Sequence, residues 1–145
     1  MFLRGYEGNI IDTQRCIVNV QDFQSIAIIG AVNNRDRYSN KAVRAYKNRG
    51  YRVYPVSIRN DEIEGLKAYR SILDVPGDVD AASLYVNPGL GIKLLEDIQR
   101  KGVRTLFVNP GAESDELIER AESLGLNPLM VCSIMSIGVD PEEME

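Results

Sequence analysis

SIAIIGAVNNRDRYSNKAVRAYKNRGYRVYPV, residues 25–56, reads as one strand–helix–strand unit. Its first six residues are an isoleucine-rich run ending at Gly30, the pattern of a strand buried on both faces. From Ser39 to Gly50 the period changes. Ala42, Val43, Ala45 and Tyr46 share a helical face, Ser39 stands where an N-cap belongs, and Gly50 closes the segment. YRVYPV, 51–56, is a second strand whose end is marked by Pro55.

The alternation continues downstream. A short helical piece is expected around 66–74, before Pro76-Gly77, and DAASLYV (80–86) is a third strand. GLGIKLLEDIQRKG (89–102) is a helix, VRTLFV (103–108) a fourth strand, and SDELIERAESLG (114–125) a helix capped by Ser114. LNPLMV (126–131) is a fifth strand. Strands separated by helices of this length predict a parallel sheet with right-handed crossovers. We expect one compact domain over 23–137, an N-terminal arm of uncertain structure over 1–22, and a frayed acidic tail over 138–145.

The tetrapeptide Val-Asn-Pro-Gly occurs at 86–89 and again at 108–111, each time between a strand and a helix. Turn chemistry alone accounts for both copies, because Pro suits a helix start and Asn and Gly suit the turn before it. If the third and fourth strands are neighbours, Asn87 and Asn109 emerge side by side as two rims of one crevice.

Composition narrows the chemistry. With 145 residues, 44% hydrophobic and 26% charged, the chain is an ordinary globular one. A net charge of −4 offers no general attraction for nucleic acid, although Arg35, Arg37, Lys41 and Arg44 form a local basic cluster. No apolar run reaches membrane-spanning length, MFLRGYEGN does not resemble a secretory signal, and two cysteines make no disulfide framework, so a cytoplasmic protein is expected. There is no histidine, which excludes Ser-His and Cys-His nucleophiles, phosphohistidine intermediates and His-ligated metals.

In an open parallel sheet, ligands bind beyond the carboxyl ends of the strands. GAVNNRDRYS (30–39) follows the first strand: Gly30 permits a tight turn, and the next helix start, with Arg35, Arg37 and Lys41, can hold an anion. An ordinary strand-to-helix turn with solvated arginines reads equally well. The loop is not a dinucleotide fingerprint, since Val32 and Arg35 stand where glycines belong and no acid appears after the second strand until Asp61.

The order and spacing of SIAIIGA, Gly50-Tyr51-Arg52-Val53, Pro55-Val56, Glu62-Ile63-x-Gly65, Tyr69-x-Ser71, Asp74-Val75-Pro76, Asp80 and the two Val-Asn-Pro-Gly turns, over residues 23–136, resemble the stand-alone CoA-binding family, related to the nucleotide-binding part of the succinyl-CoA synthetase alpha subunit. The resemblance implies a Rossmann-like three-layer α/β sandwich around a mostly parallel five-stranded sheet, with CoA or acyl-CoA across its carboxyl edge. It implies that the Gly30-Ala31 turn and Ser39 hold phosphate and that Val56 and Ser57 flank adenine or ribose; Val32, Asn33, Arg37 and Lys41 of the same segment are expected among the cofactor-binding residues. Asn87, Pro88, Asn109, Pro110 and Gly111 would line the remainder. The family usually has Gly-Ala-Ser and a proline in the first loop, where this chain has Gly30-Ala31-Val32 and Asn33-Asn34-Arg35.

The expectation is therefore a CoA-binding carrier, sensor or regulatory module with no catalytic or metal-ligating residues. Two alternatives stay open: an NAD(P)-dependent oxidoreductase or transferase using the same crevice, and a ligand-free scaffold. A homo-oligomer or protein contact would run through residues 1–22.

Overall fold

The computed structural model describes residues 23–144. The expected N-terminal arm, with Cys16, lies outside the described residues. Strand β1 (Ser25–Ile29) is wholly buried and has a strand on either side, and its successive side chains serve opposite cores. Ile26 and Ile28 pack with Ala42, Val43 and Tyr46 of helix α1 (Tyr38–Asn48), whereas Ala27 and Ile29 face the other side. Strands β2 (Arg52–Val56), β5 (Ala81–Leu84), β6 (Thr105–Val108) and β7 (Pro128–Leu129) complete a parallel sheet of order β2-β1-β5-β6-β7. Helices α2 (Pro88–Lys101) and α3 (Asp115–Ser123) cover the face opposite α1, through Leu95, Ile98, Leu117 and Ala121. The short α4 (Ser133–Ser136) joins α1, giving the expected three layers.

The caps of α2 and α3 follow from sequence. Asn87 accepts from Leu90 N–H at 2.9 Å and Ser114 from Leu117 N–H at 3.1 Å, each satisfying a donor the helix leaves orphaned. Helix α1 differs from expectation: it begins at Tyr38 with Arg37 in the cap position and no side-chain cap, and Ser39 is buried inside the first turn.

The expected helix at 66–74 is not formed. A hairpin of β3 (Glu62–Ile63) and β4 (Leu66–Lys67) stands there, followed by a single 3-10 turn at Ile72–Asp74. Its two-residue turn, Glu64-Gly65, has φ of 51° and 79°, which matches the twist of paired strands and leaves too little chain for a helix before Pro76. Tyr69 then bridges to β2: Ser57 N–H donates to Tyr69 O at 2.8 Å and Tyr69 N–H to Pro55 O at 2.9 Å. β2 ends at Val56, one residue past Pro55, as expected. The fifth strand is also shorter than expected, spanning only Pro128–Leu129, with Met130 exposed.

The acidic tail is not frayed as far as Met144. Pro141 is buried at the start of a 3-10 turn, its carbonyl accepts from Lys41 Nζ at 3.0 Å, and Arg49 Nη1 donates to Ile137 O at 2.7 Å. Tyr38 also donates its hydroxyl to Glu142. Among the described residues no helix is long and apolar enough to cross a membrane.

Asp80 closes the sheet's amino edge. Its Oδ2 accepts from the N–H groups of Gln24 (3.0 Å) and Ser25 (3.3 Å), and its own N–H donates to Ser25 Oγ at 2.9 Å, joining β1 to β5. These bonds, first that from Gln24, hold the carboxyl below its usual pKa against a smaller opposing effect of burial. A carboxylate depressed in the folded state contributes stability above the ordinary carboxylate range and loses it as pH falls through the lowered folded value. Asp80→Asn is expected to cost about 1 kcal/mol at neutral pH, the scale of a hydrogen bond to a charged group at a partly exposed site. Denaturant midpoints of the two proteins should converge as the pH is lowered; a gap independent of pH would contradict this assignment.

Candidate functional site

The chain leaves β1 for β2 on one side and returns to place β5 on the other, so the strand order reverses around β1. That reversal opens a crevice where the first and third crossovers part. A cavity of about 550 Å³ occupies it, within the range of small-molecule sites.

Gly30 sets its depth. With φ at +93°, it is where an added Cβ would meet Tyr85 O at 2.5 Å and Val86 Cγ1 at 2.9 Å. The two rims of the crevice can approach this closely only without a side chain. The N–H groups of Gly30 and Ala31 both donate to Val56 O, at 3.0 and 3.1 Å, so this turn is tied to β2. The donors it could offer a phosphate are already engaged.

Beyond the turn, buried Asn40 fixes the loop: its Nδ2 donates to Val32 O at 2.9 Å and to Glu64 Oε2 at 3.2 Å. Its Oδ1 accepts from Arg44 Nε at 2.8 Å, and Arg44 Nη2 donates to Arg35 O at 2.7 Å. Arg35 reaches Glu64 at 3.4 Å and Lys47 Nζ donates to Glu64 O at 2.7 Å. The Glu-Ile-Glu-Gly hairpin thus docks on α1 and holds the loop after β1 in place. The basic cluster apparent in the sequence is consequently dispersed, and of its four members only Arg37 borders the crevice.

Of the residues expected at the site, Gly30, Ala31, Val32, Arg37, Val56 and Ser57 line the cavity. Asn33 is exposed on the loop outside the lining, Ser39 is buried in α1, and Lys41 turns to the tail. Asn87 and Pro88 begin α2, and Pro110 and Gly111 are exposed after β6; none of these lines the cavity. Asn109 is buried behind the sheet: Nδ2 donates to Ser83 Oγ and Leu84 O, both at 2.8 Å, and Oδ1 accepts from Ser133 N–H at 2.9 Å. Asn87 and Asn109 are therefore a helix cap and an internal bracket, rather than two rims.

The sequence reading missed the rest of the wall. Ile58, Arg59 and Arg70 enter from the β2 side, and Tyr85, Leu90, Leu94 and Asp97 from β5 and α2. Arg70 is steadied by donation to Ile58 O at 2.9 Å, and its other nitrogen lies 3.6 Å from exposed Asp61. No carboxylate among the described residues pairs with the guanidinium of Arg37 or Arg59. Tyr85 stays protonated, since burial raises its pKa more than its 3.1 Å contact with Ser133 Oγ lowers it. The crevice combines three guanidiniums, an aliphatic wall and one carboxylate. One signal for the wall was present in the sequence: the apolar stripe of α2 is wider than its core needs, leaving Leu90 exposed.

Comparison with known proteins follows the same outline. The model of the CoA binding domain matches residues 24–138. The alpha subunit of an ADP-forming acetate–CoA ligase from Pyrococcus furiosus is 31% identical over 114 residues, covering 71% of this chain. The chain spans about a quarter of that relative's length. Among solved structures, a conserved hypothetical protein from Pyrococcus furiosus superposes with a TM-score of 0.72 at 33% identity, covering 81% of this chain and 100% of the other. A hypothetical protein from Pyrococcus horikoshii gives a TM-score of 0.81 at 26% identity, covering 90% and 94%.

Proposed function

This chain belongs to the family of CoA binding domains, and on that premise we propose that it holds coenzyme A, or an acyl thioester of it, in the crevice above β1 and β5. We place it in the cytoplasm as a carrier, sensor or regulatory module without chemistry of its own. The observation that carries the reading is the lining. Arg37, Arg59 and Arg70, all exposed, line a mostly aliphatic cavity, which suits a ligand with several phosphates and a largely apolar body. The uncapped N-terminus of α1 adds orphan N–H groups beside Arg37. The ligase activity named for the archaeal relative is not part of the proposal, and a phosphohistidine relay is closed to a chain without histidine.

Saturating CoA is expected to raise the thermal midpoint by roughly 5–10 °C. Ligand at one hundred times its Kd adds about 2.7 kcal/mol, and each kcal/mol moves a domain of this size by about 2–4 °C. NAD(H) and NADP(H) at equal concentration should give no comparable shift. Absence of both a shift and a calorimetric heat with CoA would remove the binding reading, and a selective response to NAD(H) would replace it.

A further inference from the structure

The acidic segment that follows α4 is laid along α1. At the far end of the helix Arg49 holds Ile137 O at 2.7 Å, and near its start Lys41 Nζ donates to Pro141 O at 3.0 Å. Ile137 and Pro141 are buried, and Val139 packs against the same core. Up to Pro141 the segment is thus anchored by apolar contacts. Beyond it the character changes. Glu142 and Glu143 are exposed in a single 3-10 turn, and Glu142 is tied to α1 by the bond it accepts from the Tyr38 hydroxyl. A solvent-exposed bond of this kind contributes little to stability and is exchanged at small cost.

This turn meets α1 where the helix lacks a negative partner of its own. The first turn of α1 holds neither an acidic side chain nor a side-chain cap, which leaves its positive end unmatched from within. Glu142 brings a carboxylate there from 104 residues along the chain, and Asp140 caps the same 3-10 turn at 2.9 Å. Tyr38 directly follows Arg37, which borders the crevice, and Lys41 is held 5.1 Å over the Tyr38 ring. Resting on the CoA reading of the crevice, we infer that the segment is an autoinhibitory strap. Its carboxylates oppose the ligand's phosphates beside Arg37, and ligand entry displaces Glu142 from Tyr38. The apolar anchor stays seated at Pro141 while the exposed turn lifts.

Titration calorimetry of CoA on the full chain compares three proteins. One is wild type, one carries Glu142→Gln with Glu143→Gln, and the control carries Asp78→Asn with Glu122→Gln, two exposed acids at the sheet's amino edge. The control changes net charge equally. At low salt the strap variant is expected to bind CoA at least about threefold more tightly than wild type, and the control within about 1.5-fold of it. The gain should shrink to within about 1.5-fold in about 0.5 M salt, where exposed charges are screened beyond roughly 4 Å. Amide exchange supplies a readout that mere packing would not move. Saturating CoA should speed exchange in wild type at Glu142, Glu143 and Met144, whose N–H groups close the turn. No gain in the strap variant, an equal gain in the control, or unchanged exchange at these amides overturns the inference while leaving the CoA reading intact. Failure of all three proteins to bind CoA overturns that reading, and this inference with it.

Discussion

Gly30→Ala is expected to cost about 3–4 kcal/mol of stability and to abolish the thermal shift with CoA. Two effects combine. The residue holds φ at +93°, where a side chain is strained by about 1–3 kcal/mol, and the new Cβ would lie 2.5 Å from the carbonyl oxygen of Tyr85. That neighbour is backbone just past β5, so no rotamer change relieves the contact; the β1 turn must move away from β5, at a further overpacking cost of about 1–3 kcal/mol. The movement also breaks the paired donation of Gly30 and Ala31 to Val56 O, which ties the end of β1 to the end of β2. Urea unfolding monitored by circular dichroism measures the first effect and a CoA thermal titration the second. A loss below about 1 kcal/mol would mean that the crevice is looser than its geometry indicates.

Asn109→Ala should be nearly as damaging, at about 3–5 kcal/mol, although it touches no part of the crevice lining. The variant leaves the Ser133 N–H and the Leu84 carbonyl without the partner that now satisfies them, and buried unpaired groups cost about 1–3 kcal/mol each. It also releases Ser83 Oγ, which bonds Ser133 Oγ at 2.8 Å, while Ser133 O accepts from the buried hydroxyl of Tyr46 at 2.7 Å. One amide thus ties β5, β6, α4 and α1 together. Asn87→Ala is the natural control. It occupies the same tetrapeptide, yet it loses only a helix cap, about 1 kcal/mol. Equal losses from the two substitutions in parallel urea melts would show that Asn109 is not the bracket described above.

That contrast indicates how far sequence alone reaches. The regular parts were legible because each is local: the apolar run of β1, the cap and glycine around α2, the Ser114 cap with acids behind it. Membership in the CoA binding domain family was legible from the order of short motifs. The two copies of Val-Asn-Pro-Gly could not be told apart, since their difference lies in what packs behind them. Asn109 has Ser133 against it, 24 residues onward, and Asn87 has solvent. The segment at 66–74 misled because Leu66, Ile72 and Leu73 mimic a helical spacing, whereas the Glu64-Gly65 turn commits the chain to a hairpin. Arg35, Arg37, Lys41 and Arg44 form one basic cluster in the sequence, but Glu64, Pro141 and Asn40 draw Arg35, Lys41 and Arg44 apart. Arg59, Arg70 and Asp97 meet only through two crossovers. No window of sequence contains all three.

The two border strands share a residue that cannot extend a sheet. Pro55 lies in β2 and Pro128 in β7, and neither has an N–H to offer an incoming strand; Tyr69 already occupies part of the outer side of β2. Ligand entry requires the carboxyl ends of the strands to stay open, while the lateral edges carry the risk of strand addition and aggregation. The fold separates these demands. It leaves open the end proposed to receive the ligand and, with a proline on either flank, blunts the sides through which copies of the chain would otherwise add strand to strand.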